Sequence, residues 1–233
     1  MTLETSPIAI VTGISRGLGL ATARALARRG WTVVGDARSK SALVTAVATI
    51  SGDVHGVAGD IADPAHREQL IRTAISAGGL DLVVNNASIL GPSPRPYLDT
   101  YPLDILEQVY RVNVFAPLAL TQAALPLRRQ RRGVVVNVTS DAGRESYAGW
   151  GGYGSSKAAL DQLSNILGAE EPDISVYRFD PGDMNTRMHQ EAFPGEDISD
   201  RNSPEESVPA LMALIEGRRP SGVYGVEDVL LNT

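Results

Sequence analysis

The chain has 233 residues, 43% of them hydrophobic and 21% charged, with a formal net charge of −6. That length fits one domain, at most two, and the apolar share is that of a folded protein rather than a disordered one. Without cysteine there is no disulfide framework, no thiolate metal site and no cysteine nucleophile. His55, His66 and His189 show no i, i+4 pairing, so no zinc motif forms and no metal is expected. The acidic balance argues against nucleic acid or an anionic membrane as the main partner.

The residues from Met1 to Ser6 are polar, and the apolar run from Ile8 to Val11 is too short for a signal-peptide core. No stretch reaches the length of a membrane span. A cytoplasmic protein is therefore the expectation, and the formal sequons at Asn86 and Asn137 read as chance matches.

Short apolar runs alternate with helix-like segments along the chain. Ile8 to Val11 reads as a buried strand, then a glycine-rich turn, then a helix from Leu18 to Arg29 stopped by Gly30. A strand over Trp31 to Gly35 and a helix over Ser39 to Ile50 follow. Val54 to Ala58 is a third strand, and Pro64 opens a helix to about Ala77. Leu82 to Val84 is a fourth strand. Leu103 to Arg131 reads as one long helical stretch that Pro117 and Pro126 should kink or end early. Val134 to Val138, Tyr153 to Leu167, Ile174 to Phe179 and Glu205 to Glu216 continue as strand, helix, strand and helix. Val223 to Gly225 is a short last strand. The basic run from Arg128 to Arg132 reads as a solvated helix end, favourable to the dipole there.

Strands that are apolar throughout are buried on both faces. Alternating with helices, they imply an α/β fold, a single doubly wound, Rossmann-like parallel sheet of about seven strands with helices on both faces. No linker divides the chain, so residues 1–233 read as one domain. The polar stretch from Glu191 to Pro204 reads as a mobile loop, and residues 187–204 together as a substrate loop or lid.

Strand, glycine turn and helix at the start form a phosphate-binding arrangement. Gly13, Gly17 and Gly19 let the backbone turn tightly against a pyrophosphate facing the helix N-terminus. The spacing G-x3-G-x-G is neither the common dinucleotide fingerprint nor a Walker loop. The same residues spell the nucleophile-elbow pattern around Ser15. Only twelve residues precede Gly13, too few for the upstream strands an elbow needs, so the hydrolase reading is rejected. Further on, Tyr153 and Lys157 stand at i, i+4 on one helix face. A phenol titrates near ~10, and a neighbouring ammonium favours its ionised form, which is how an acid–base group is tuned toward working pH.

Together these residues resemble the classical short-chain dehydrogenase/reductase family, over nearly the whole chain. The T-G-x3-G-x-G motif stands as Thr12 to Gly19, and the adenine-side acid as Asp60 in Gly59-Asp-Ile61. The N-N-A-G motif stands as Asn85-Asn86-Ala87-Ser88, with serine in place of the final glycine. Asn113 matches the helix asparagine, and Ser140 the catalytic serine, thirteen residues before Tyr153, with Thr139 ranked second. The P-G-x3-T-x-M motif stands intact from Pro181 to Met188. Each match also has a plainer reading: a turn at Asn85-Asn86, a kink filler at Asn113, a turn cap at Ser140, a helix cap at Thr186.

The resemblance implies hydride transfer between a nicotinamide and a carbonyl/alcohol pair. Ser140 would hydrogen-bond the substrate oxygen and Tyr153 would protonate it. Lys157 would lower the phenol pKa and bind the nicotinamide ribose, and Asn113 would hold a water linking Lys157 to solvent. Gly13, Ser15, Arg16, Gly17, Leu18 and Gly19 would bind the pyrophosphate end. Arg38, Asp60, Ile61, Asn86 and Ala87 would bind the adenosine side and the middle, and Pro181, Gly182, Met184 and Thr186 the carboxamide.

The generic rule for dinucleotide sites points to Asp36 as a ribose-binding acid, hence NAD. The family register places that position at Ala37, followed by Arg38, with Arg16 before Gly17. That pattern implies NADP(H), with NAD(H) as the alternative, since guanidiniums fork phosphate oxygens. Arg144, Tyr147, Trp150, Met188 and His189 are the expected substrate contacts, with Glu145 and Phe193 nearby. They suit a ketone or alcohol with an apolar body. The resemblance also implies a homodimer or homotetramer built through the two long central helices. The alternative functions are a cofactor-binding sensor on the same fold, or a dehydratase or epimerase variant.

Overall fold

A computed structural model describes residues 6–129 and 133–231. Strands β1 (Ile8–Val11), β2 (Thr32–Ala37), β3 (Val54–Ala58), β4 (Leu82–Asn85), β5 (Val134–Val138), β6 (Ser175–Asp180) and β7 (Gly222–Gly225) form one sheet. Its order is β3-β2-β1-β4-β5-β6-β7, with every pair parallel. The helices are α1 (Gly17–Arg28), α2 (Lys40–Val47), α3 (Pro64–Ala77), α4 (Leu103–Tyr110), α5 (Ala116–Arg129), α6 (Gly151–Glu170), α7 (Arg187–Ala192), α8 (Pro204–Gly217) and α9 (Val226–Leu230). The doubly wound sheet read from the pattern is thus the observed fold.

Alternate side chains of the central strands feed opposite faces. Ala9, Val11, Leu82, Val84, Val134 and Val136 pack under α1 and α8, while Ile8, Ile10 and Val83 pack under α3 and α5. Phe179 of β6 is fully buried in the first of these clusters. Phe179→Ala should therefore lower unfolding stability by about 3–5 kcal/mol, measured by denaturant titration.

Helix starts follow the side-chain chemistry. Asp63 accepts from the Ala65 N–H at 3.0 Å, with Pro64 in the first turn of α3. Ser39 caps α2 at 3.3 Å through Ala42 N–H. The long stretch expected from Leu103 breaks earlier than its prolines. Residues Arg111–Phe115 form a π turn, in which the Ala116 N–H reaches the Arg111 carbonyl. Pro117 has no N–H to return to the Asn113 carbonyl, and its ring crowds that carbonyl, so the turn opens just upstream. Pro126 is accommodated inside α5 instead of ending it.

The segment 187–204, expected as a loop, begins with a helix. Thr186 caps α7 by accepting from the His189 N–H at 3.2 Å. The side chains of the basic run from 128 to 132 lie outside the described residues. Strand order reverses between β1 and β4, which places a crevice at the carboxyl ends of those two strands.

Candidate active site

An open cleft of about 2140 Å³ runs along those strand ends. A single small ligand fills roughly 300–1,000 Å³, so this space suits a dinucleotide and a substrate side by side.

At one end the glycine turn links β1 to α1. Gly13 and Gly17 have φ of 76° and 57°, a region open to glycine. Gly19 lets α1 approach closely, since a Cβ there would lie 2.4 Å from both Asn86 Nδ2 and the Gly13 oxygen. Thr12 ties the two strand ends together. Its Oγ1 accepts from the N–H groups of Asn86 and Ala87 at 3.0 and 2.9 Å. Asn86 Nδ2 donates back to the Thr12 oxygen at 2.8 Å. Among the described residues no side chain caps α1, and its first turn carries no acid. Its free N–H groups line the cleft through Gly17 and Leu18. That donor set fits a pyrophosphate.

Asp36 does not present its carboxylate as a free ribose ligand. Its Oδ1 accepts from the Gly13 N–H at 2.7 Å, and its Oδ2 pairs with His66 Nε2 at 3.0 Å. Its backbone oxygen takes the Ile14 N–H at 2.8 Å. Arg16 and Arg38 are exposed on the cleft wall and make no ion pair among the described residues.

Ser140 follows β5 and is the turn cap that its plainer reading describes, at a place where it also lines the cleft. Its hydroxyl accepts from the Ala142 N–H at 3.2 Å, donates to Asp141 Oδ1 at 3.0 Å, and lines the cleft opposite Tyr153. Burial pushes the Tyr153 phenol above its ordinary pKa, the Asp180 carboxylate adds to this, and Ser140 opposes it. Lys157 is 3% exposed. Its ammonium donates to the Val138 oxygen at 2.8 Å and sits 5.4 Å from the Tyr153 ring centre. Burial pulls its pKa to about 8, against the raising effect of Asp161 and Asp180. The lowering of the phenol that the resemblance implied from Lys157 is not what this site shows: burial dominates, and the opposing influence is Ser140. Asp161, one turn beyond Lys157, is itself buried, with Arg144 4.0 Å from its Oδ2 and Thr139 opposing the rise that burial gives its pKa.

Asn113 lies beneath the cleft. Its Oδ1 accepts from Ser88 Oγ at 3.0 Å and the Ile89 N–H at 2.9 Å. Its Nδ2 donates to the Ile89 oxygen at 2.9 Å and Ser156 Oγ at 3.0 Å. With its amide saturated, the side chain holds the π turn, and a water would have to use its main-chain carbonyl. The serine standing in place of the motif glycine is explained: Ser88 adds a donor to Asn113. Asn137 is buried and donates to Ser164 at 2.8 Å, so that sequon is closed to modification.

Asp60, Ile61, Asn86, Ala87, Pro181, Gly182, Met184 and Thr186 line the cleft, as do Ser15, Trp150, Met188 and His189. Two expected substrate contacts do not. Arg144 is drawn to Asp180 at 2.8 Å, and the Tyr147 hydroxyl donates to Asp141 at 2.9 Å with its ring 47% exposed. Three residues escaped the sequence reading: His66, Thr12 as a clasp, and Arg95. Arg95 stacks 4.0 Å from the Trp150 ring and 4.9 Å from that of Phe193, joining the wall to the 187–204 segment.

The short chain dehydrogenase family model matches residues 7–197. The chain belongs to that family. This short-chain dehydrogenase is 34% identical to a serine 3-dehydrogenase of Rhizobium radiobacter over 77% of its own length and 72% of the relative's. Among solved structures, a putative short chain dehydrogenase of Escherichia coli CFT073, complexed with NADPH, superposes with a TM-score of 0.88. It is 30% identical, covering 95% of this chain and 96% of that one. One from Shigella flexneri 2a str. 301, complexed with NADP, gives 0.86 at 28% identity over 95% and 97%. By that membership the protein is an oxidoreductase. No helix among its described residues is long and apolar enough to cross a membrane.

Proposed function

We propose that this enzyme transfers hydride between NADP(H) and a ketone or secondary alcohol, with Tyr153 as the general acid–base. The observation that carries the cofactor choice is the engagement of Asp36 by Gly13 and His66, which leaves Arg16 and Arg38 as cationic groups facing the adenosine end. The NADP and NADPH complexes of two structural neighbours agree with it.

NADPH supplies the hydride when bound. The free N–H groups of α1 hold its pyrophosphate, Arg16 and Arg38 its 2′-phosphate, and Asp60 and Ile61 flank its adenine. Pro181, Gly182, Met184 and Thr186 form the carboxamide side. Ser140 orients the substrate oxygen, Tyr153 donates its proton there, and Lys157 binds the ribose and balances charge as the phenol ionises. The Asn113 carbonyl is the point at which water would reach Lys157. Trp150, Met184 and Met188 give the substrate site an apolar wall, with His189 at its edge. Exposed Phe115 and Ile166, on the turn before α5 and on α6, support a homodimer or homotetramer through these helices.

Fluorescence titration with NADPH and NADH tests the reading. Arg38→Ala should weaken NADPH binding by about 10- to 100-fold, the loss of one charged hydrogen-bonding group, and leave NADH within about threefold. Equal loss for both cofactors, or a wild-type preference for NADH, overturns it.

A further inference from the structure

The chain carries an acid, Asp36, where the generic dinucleotide rule expects a ribose-binding carboxylate, yet both of its carboxylate oxygens are engaged within the protein. Asp36 and His66 are buried side chains, 3% and 4% exposed, from β2 and α3. The imidazole packs directly on the turn after β3, where a Cβ at Gly59 would meet Nδ1 at 2.2 Å. That turn leads into Asp60. His66 thus packs beside the turn after β3 and bonds Asp36 without itself lining the cleft.

We propose that His66 is a specificity-determining positioning residue: it holds the Asp36 carboxylate away from the cleft, so that the site accepts a ribose 2′-phosphate. The proposal rests on the NADP(H) reading above and explains how a chain with an acid at Asp36 could support it. Each carboxylate oxygen has one donor, Gly13 N–H on Oδ1 and His66 on Oδ2. Both donors lie within the protein, so the oxygens are satisfied without a ligand. Removing the imidazole leaves Oδ2 buried and unpaired, which is unfavourable. Asp36 already borders the cleft, and turning Oδ2 toward it restores hydration. A carboxylate so placed accepts from a ribose 2′,3′-diol and repels a 2′-phosphate.

The experiment is an equilibrium titration of NADPH and NADH against wild type, His66→Ala, His66→Leu, Asp36→Asn, and each His66 variant combined with Asp36→Asn. His66→Leu keeps the space filled while deleting the donor. Thermal unfolding identifies the variants that fold. The NADPH-to-NADH preference should fall at least about tenfold in a folded His66 single variant. It should return toward the wild-type value when Asp36→Asn is added. Asp36→Asn alone should leave the preference within about threefold, because the charge it removes is already turned away. A folded His66 variant with unchanged preference overturns the proposal. So does a loss that persists without the Asp36 charge, or a rise above threefold in NADPH preference in Asp36→Asn alone. A wild type that prefers NADH overturns the cofactor reading itself, which is a separate result.

Discussion

Tyr153→Phe should lower kcat for carbonyl reduction by about 10²- to 10⁴-fold while NADPH binding stays within about threefold. In the proposed reaction the phenol is the proton donor; it lines the cleft with Ser140, and its ring packs 5.7 Å from that of Trp150. Phenylalanine keeps the packing and deletes only the hydroxyl. Burial and Asp180 raise the phenol pKa, so the group carries its proton throughout the neutral range and is ready as an acid. The reverse reaction needs the ionised form, so alcohol oxidation should accelerate as pH rises. Steady-state rates in both directions across pH, with cofactor affinity measured separately, check this. A variant that keeps wild-type rates removes Tyr153 from the chemistry. One that loses activity and cofactor affinity together places the damage in binding.

Gly19→Ala should weaken dinucleotide binding about 100-fold or more and lower stability by about 1–3 kcal/mol. The methyl would sit 2.4 Å from the Gly13 oxygen and the Asn86 amide nitrogen. Neither can yield cheaply. The first is backbone in the turn, and the second is held by Thr12. Relief requires α1 to shift against the clasp between the ends of β1 and β4, and α1 presents the N–H groups that fit the pyrophosphate. Isothermal titration with NADPH, beside thermal unfolding, separates the two losses. Full retention of affinity would mean that the glycine turn is not the anion site.

Much of this architecture is written in local pattern. The expected ranges of β1, β3, α3 and β5 coincide with the observed ones because each apolar run, or proline after a capping acid, carries its own boundary. Features set by distant partners are not legible in that way. The π turn depends on Pro117 and on contacts from Asn113 to Ile89 and Ser156. Helix α7 hides in a polar stretch because what secures it besides the Thr186 cap is buried Ala192 and contacts such as Ser93 on the Glu191 oxygen, from far along the chain. Arg144 read as a substrate contact because nothing near it in sequence announces Asp180. His66 drew no role from the sequence because its partner lies thirty residues earlier.

The chain has two lysines, and the fold gives them opposite fates. Lys157 has the pKa of a reactive amine, about 8, yet it is enclosed and bonded to the Val138 oxygen. Lys40 is exposed at the first position of α2, two residues past Arg38. Reagents that acylate amines, and resins that couple through them, would therefore meet Lys40 long before Lys157. Tethering this enzyme to a support through lysine fixes it by one side-chain point at the rim of the adenosine end, with the proposed proton-transfer groups left chemically intact.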